Sequence, residues 1–236
     1  MLHKLDAVFA RFRSANLRLH PAKCHWAVNK VKFLGHVFDE RGVSLDESKL
    51  SIVRDFPRPR TPKHIKSFLG LCNYYRRFVK GFSQISAPLR ELLKSDVRFV
   101  WSDDCETAFN QLKTALITAP VLVLPDFSKP FILTCDASVT GIGFILSQND
   151  DGGREHVICF GGRGLRPNET RWGITDLELL ALVTGVKTYH TYLADQPFEV
   201  VTDHVSLSFL KTMRFTGNNI LTRWPLFLTL QVFSAI

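Results

Sequence analysis

The sequence predicts a mixed α/β protein of the α+β kind, with helices gathered in its first half and strands in its second. Three observations predict this. Up to about residue 116, apolar residues recur mostly at helical spacing around one short strand-rich stretch. Beyond Pro120, Pro125 and Pro130 the period changes to strand, strand, strand, helix, strand. Three acids, Asp136, Glu178 and Asp203, fall in a strand-like, a helix-like and a strand-like segment of that second half.

Taken in order, residues 2–15 read as a helix with Leu2, Leu5, Val8, Phe9 and Phe12 on one face. Leu17–His20 reads as a short strand stopped by Pro21. Val31–Leu34 and His36–Phe38 are strand-like, and the run from Asp39 to Gly42 supplies turn chemistry. Ser44-Leu-Asp-Glu47 has the form of a capping box before a short helix. The Pro57-Arg-Pro-Arg-Thr-Pro62 stretch breaks the chain, and Thr61 with Pro62 can open a new helix. Its apolar face holds Ile65, Phe68, Leu69 and Cys72, with Val79 beyond. A further helix is expected near Ile85–Leu93. Asp103–Glu106 is expected to cap a helix carrying Phe109, Leu112, Ala115 and Leu116. Strands are predicted at Phe131–Ser138, Ile142–Ser147, His156–Gly161 and Phe198–Asp203. A long helix is predicted at Thr170–Leu193 and another at Leu221–Gln231.

Charge divides the 236 residues unevenly. Residues 1–95 carry 19 Lys and Arg against 7 Asp and Glu, a net +12, whereas the remainder is net −4. A basic half suits a phosphate backbone. Lys63, Lys66, Arg76, Arg77 and Lys80 lie in it, with Tyr74 and Tyr75 interleaved, and Arg171 precedes the long helix. These six cations are the candidate nucleic-acid contacts. For Tyr74 and Tyr75 a place in the helix's own core is an equal alternative, as is core packing for Trp172. No apolar run approaches the ~18 residues of a membrane span. The N-terminus lacks a secretory signal, and the five cysteines are scattered without a C-x-x-C pair. The expectation is an intracellular protein with reduced thiols and no membrane partner.

Asp136, Glu178 and Asp203 are the candidate catalytic and metal-binding residues. A carboxylate in an apolar element is costly unless something positive pairs with it, so three that pack together call for a shared cation. Oxygen ligands without a cysteine or histidine cluster favour Mg²⁺ or Mn²⁺ over zinc. Glu178 shares a helical face with Ile174, Ala181 and Gly185, a stripe of small residues that can lie against a sheet. Other roles stay open: Asp136 could cap the Ser138–Gly141 turn, and Asp203 the helix after it. Gly161-Gly-Arg-Gly164 lacks the Lys-Ser/Thr of a P-loop and reads as a turn.

At this point the chain resembles the reverse transcriptase and ribonuclease H region of gypsy-type long-terminal-repeat retrotransposon polyproteins. Phe33-Leu-Gly-His-Val-Phe38 resembles the last palm hairpin, and the run from Ile65 through Asn73-Tyr-Tyr-Arg-Arg-Phe78 resembles the thumb helix. Trp101–Leu124 resembles the connection. Leu133-Thr-Cys-Asp-Ala-Ser138, Thr175-Asp-Leu-Glu178 and Val201-Thr-Asp-His204 resemble the nuclease motifs. The resemblance implies a palm end at 1–45, a helical thumb at 46–95, a connection at 96–129 and a ribonuclease H-like mixed five-stranded sheet with helices at 130–236. It implies an RNA–DNA hybrid or template-primer as partner, two-metal hydrolysis of the RNA strand, and a polyprotein with protease, polymerase and integrase parts in cytoplasm, virus-like particle or nucleus. Two departures accompany it. The polymerase's strand with paired aspartates is missing, since Asp103-Asp104 and Asp150-Asp151 lie in other contexts. The chain also stops at Ile236, before the family's fourth acid, so a truncated fragment with feeble hydrolysis is expected. A nucleic-acid-binding module without catalysis, or a remnant without function, is the rival expectation.

Overall fold

The computed structural model describes residues 2–194 and 198–202, and the backbone of 233–235. Asp203 and the helix expected at 221–231 lie outside the described residues. Helix α1 (Leu2–Ser14) forms as its periodicity demands, yet buries none of its residues. Phe9 meets the edge of Trp26, at 5.7 Å between rings. The strand expected at Leu17–His20 does not form. Pro21, which has no N–H to give a ladder, instead opens a single 3₁₀ turn over Pro21–Lys23.

Strands β1 (Val31–Phe33), β2 (His36–Asp39) and β3 (Gly42–Leu45) make an antiparallel meander. Leu34 and Gly35 both take positive φ, 49° and 76°, as a two-residue hairpin loop requires. Ser44 is not the cap of the next helix. It pairs with Val37, so the strand runs on to Leu45, and Asp46 caps α2 (Glu47–Arg54) by accepting from the Ser48 N–H. Thr61 Oγ1 accepts from the His64 N–H and opens α3 (Pro62–Tyr74), whose predicted face is buried throughout at Ile65, Phe68, Leu69 and Cys72. One helix was expected over 85–93, and two short ones stand there, α4 (Phe82–Ile85) and α5 (Ala87–Glu91). Pro88 explains the break, because its ring tolerates only the first turn of a helix. The cap of α6 (Asp103–Ile117) is Ser102, through the Cys105 N–H. Asp103, Asp104 and Glu106 sit inside the first turn, where the helix dipole favours them.

The second sheet begins with β4 (Phe131–Ser138), β5 (Gly141–Asn149) and β6 (Glu155–Gly164), all antiparallel. Gly161–Gly164 therefore continues a strand and is not a turn. The helix expected over 170–193 divides at Gly173. A 3₁₀ turn at Glu169–Arg171 precedes α7 (Ile174–Thr188), and α8 (His190–Leu193) follows. Strand β7 (Phe198–Val201) returns parallel to β4, and β8 (Phe233–Ala235) lies parallel to β7, giving the order β6-β5-β4-β7-β8.

Two cores result. One runs from Val43 and Leu45 through α3, α5 and α6 to Leu122, with Val157 and Phe160 of β6 packed against it. The other joins Leu133, Cys135, Phe144 and Leu146 of the large sheet to Leu177, Ala181 and Val186 of α7. The sheet thus has α7 on one face and the helical layer on the other. A short strap ties the two sheets together. Val43 and Leu122 exchange backbone hydrogen bonds of 2.7 and 2.9 Å, and the Val123 N–H donates to Val157 O at 2.9 Å. A Cβ at Gly42 would strike Leu122 O, so the strap's approach requires glycine there. Among the described residues no helix is long and apolar enough to cross a membrane.

Candidate nuclease site

Strand alternation assigns the side chains of β4 to opposite faces. Leu133 and Cys135 are buried against α7, and Ala137 packs on the same core. Asp136, in between, is exposed and borders a cavity with Lys80, Gly81 and Gln84 from the helical layer and Thr134 and Gly143 from the sheet. The turn after β4 does not use Asp136. Ser138 holds it, its Oγ accepting from the Gly141 N–H at 3.2 Å and donating to Gly141 O at 3.0 Å. The turn-cap role left open for Asp136 is thereby filled by another residue.

Glu178 comes to the same end of β4 by a different route. The small stripe on α7 lets the helix lie close to the sheet. Ala181 is fully buried, and a Cβ on Gly185 would stand 3.3 Å from both Leu133 Cδ1 and Phe144 Cβ. Glu178 is 3% exposed, and its Oε1 accepts from the Ala137 N–H at 3.1 Å. The described pairing of β4 with β7 ends at Thr134↔Val201, three residues short of Ala137. Glu178 thus takes up a strand N–H beyond that last pair. Ile174, predicted on the same stripe, is 49% exposed, because it lies in the first turn, ahead of the packed part of the helix.

Burial chiefly pushes the Cys135 thiol far above its ordinary range, and the charges of Glu178 and Asp136 add to the effect. A thiol so held stays protonated and offers no soft ligand. The donors at this end of β4 are hard carboxylate oxygens, which fit Mg²⁺ or Mn²⁺. Among the described residues no three His, Cys, Asp or Glu side chains converge, and the third predicted ligand, Asp203, follows Thr202, the last described residue of that stretch.

Of the predicted nucleic-acid contacts, Lys63, Lys66, Arg76, Lys80 and Arg171 are exposed. Arg77 differs. It is half-buried between the helical layer and β6, and its Nη2 donates to Ile158 O at 3.4 Å. Tyr75 is 2% exposed in the first core, and the Tyr74 hydroxyl donates to Leu34 O at 2.7 Å, so both rings fasten α3 to the β1–β2 hairpin. Trp172 packs against the second core. Two residues escaped the sequence reading. His36 lies 5.4–5.7 Å from the rings of Tyr74, Tyr75 and Phe78, residues remote in sequence that no local signal ties to it. Gln84 reaches the Asp136 cavity from a helix remote in sequence, and nothing local announces it.

Residues 101–200 match the family model described as the RNase H-like domain found in reverse transcriptase. Over 213 residues the chain is 37% identical to the Pol polyprotein of transposon 412 of Drosophila melanogaster, covering 90% of this chain and 17% of that protein. It is 35% identical over 224 residues to that of Drosophila transposon 297, covering 94% of this chain and 21% of the relative. The Tf2-3 polyprotein of Schizosaccharomyces pombe is 33% identical over 94% of this chain and 17% of its own length. The chain thus spans about a fifth of the relatives it matches. A foamy viral protease-reverse transcriptase solved with an RNA/DNA hybrid shares the fold, with a TM-score of 0.76 at 23% identity over all of this chain and 33% of that one. The same viral enzyme with double-stranded DNA gives 0.75 at 23% identity, over all of this chain and 50% of the other.

Proposed function

We propose that this chain, which belongs to the reverse transcriptase and RNase H family of retrotransposon Pol polyproteins, carries a nuclease centre for the RNA strand of RNA–DNA hybrids at Asp136 and Glu178, with Asp203 as the third acid. The observation that carries it is the placing of Glu178. A carboxylate 3% exposed, its Oε1 fixed on the Ala137 N–H one residue beyond Asp136, brings a hard oxygen donor to the end of β4 where Asp136 lies. Glu178 and Asp136 would hold Mg²⁺ or Mn²⁺, and the parallel pairing of β7 with β4, which reaches Val201 two positions before Asp203 in sequence, supports Asp203 as their companion. A bound divalent ion there supplies Lewis-acid polarisation of a phosphoryl oxygen and lowers the pKa of bound water. Asp136 faces the open side, where a scissile phosphate can approach, while Glu178 stays fixed by its backbone bond. Lys80, exposed and bordering the same cavity, is suited to steer the phosphate. Residues 1–45, 46–95, 96–129 and 130–236 would act as palm end, thumb, connection and nuclease. The exposed Lys63, Lys66, Arg76 and Arg171 would meet the hybrid's backbone, with Arg77 lending charge from its half-buried place.

The test is cleavage of end-labelled RNA annealed to DNA, with Mg²⁺ titrated. Asp136→Asn should abolish cleavage and weaken Mg²⁺ binding, whereas Asp104→Asn on α6 should change neither. Cleavage undiminished by Asp136→Asn would reject the site. A second reading, a nucleic-acid-binding module without catalysis, is favoured by one observation: Lys63, Lys66, Arg76, Lys80 and Arg171 are all exposed. Tight hybrid binding with no Mg²⁺-dependent cleavage would select it.

A further inference from the structure

Between α2 and α3, Pro57–Arg60 forms a strap beside Trp101. Proline fixes φ at alternate positions of the strap, which holds the backbone away from helix. Pro59 is buried while Arg58 and Arg60 are exposed. Phe99 and Trp101 form the floor of a cavity of about 590 Å³, with Arg58, Arg60 and His64 at its rim. The floor is preset. Trp101 Nε1 donates to Glu106 Oε2 at 2.7 Å, and the indole meets Phe109 edge-on at 6.0 Å. The Arg58 guanidinium lies 5.5 Å from the indole centroid and 3.0 Å from Glu106, so Glu106 anchors both groups. Arg60 lies at the rim, its backbone N–H donating to His64 Nδ1 at 3.4 Å. Lys63 and Lys66 continue the positive edge along α3.

We propose that this groove is a second binding site, separate from the nuclease centre, for a single strand of nucleic acid. An aromatic floor under a cationic rim matches a flat base joined to a phosphate, and the excess of cations from Arg58 to Lys66, where the stretch holds no acid, supplies the charge complementarity. A duplex presents its bases stacked and paired, so it can use the rim but not the floor. The groove therefore distinguishes an unpaired strand from a hybrid. Base identity is read weakly, since every base has a face to stack.

The experiment is fluorescence anisotropy of labelled oligo(dT) on the full chain in EDTA, so that the result stands whether or not the nuclease reading holds. Arg60→Glu should weaken oligo(dT) binding about tenfold and reduce the salt slope by ~0.7 for each phosphate no longer neutralised, while affecting a blunt hybrid less. Arg13→Glu, the same charge change on α1, should have the smaller effect on oligo(dT). Trp101→Phe, with an unchanged circular dichroism spectrum, should weaken oligo(dT) binding as well. Equal losses from Arg60→Glu and Arg13→Glu, or equal losses on oligo(dT) and hybrid, would overturn the proposal. So would failure of oligo(dT) to bind the full chain at all.

Discussion

At the scale of single residues, Glu178 combines two tasks that substitutions can separate. Glu178→Gln keeps an oxygen for the Ala137 N–H and removes the buried charge. Its stability should stay closer to the parent's than that of an alanine variant, while Mg²⁺ affinity falls. Glu178→Ala leaves that N–H without its acceptor, at a cost of about 1–3 kcal/mol in denaturant unfolding. Equal stability of the two variants would contradict the bond's role. His36 yields a pH prediction. Burial among Phe38, Tyr74, Tyr75 and Phe78 is the main cause lowering its pKa, and Arg77 lowers it further, against the Leu34 carbonyl that its Nδ1–H donates to. The folded state then binds fewer protons than the unfolded one near the ordinary value of 6.5. Stability is therefore full above that value and falls as the pH drops below it. Asp39, Asp46, Asp126 and Glu169, held low mainly by bonds to Arg41, Lys32, Ser128 and Arg163, lose their contribution only further down, in the carboxylate range. Urea unfolding at pH 7.5 and 5.5 should show the loss in the native chain and a smaller one in His36→Phe. Glu178 was legible as a candidate because its small neighbours Ala181 and Gly185 have only one use in an apolar helix, close packing. His36 was not, because its cage is assembled from residues about forty positions away.

Among the elements, those with strong local signals formed as read. Thr61-Pro62 followed by apolar residues at helical spacing is enough to define α3, and the alternation in 131–138 defines β4. Boundaries were missed where two local signals competed. Ser44 has capping chemistry, but its pairing with Val37 won, and the cap moved to Asp46. The periodicity of 170–193 is nearly continuous, so the division at Gly173 was hidden. Glycines on the two main helices should respond oppositely. Gly70 on α3 has open space where a Cβ would go, so Gly70→Ala should stabilise by up to about 1 kcal/mol. Gly185 on α7 faces buried Leu133 and Phe144, so Gly185→Leu should destabilise by about 1–3 kcal/mol through overpacking. Thermal melts of the two variants on either side of the parent would bear this out, and a shift in the same direction for both would not.

For the whole molecule, the charge asymmetry was legible in the sequence, but its structural meaning was not. A basic half and an acidic half suggest two bodies joined by a proline-marked linker. The first core instead runs from Val43 to Leu122, across the point where the charge changes sign. The reason lies in contacts remote in sequence, such as Lys113 Nζ donating to Phe56 O at 3.1 Å. Neither half is expected to fold when cut at residue 95, so hybrid binding has to be probed in the full chain. Lys63→Glu, Lys66→Glu and Lys80→Glu together should lower hybrid affinity and flatten its salt dependence by ~0.9 in slope for each phosphate left without its cation. An unchanged slope would place the binding surface elsewhere.

The strap between the sheets has a consequence for digestion. A protease needs a stretch of chain that can leave its partners and lie extended in the enzyme's cleft. Leu122 is fully buried, both its backbone groups are bonded to Val43, and its neighbour Val123 is bonded to Val157. What looks in the sequence like a hinge is a splice. Brief subtilisin treatment should leave the bonds between Ala119 and Leu124 whole while it trims α1, whose residues are all at least partly exposed, and mass spectrometry of the fragments would register the difference.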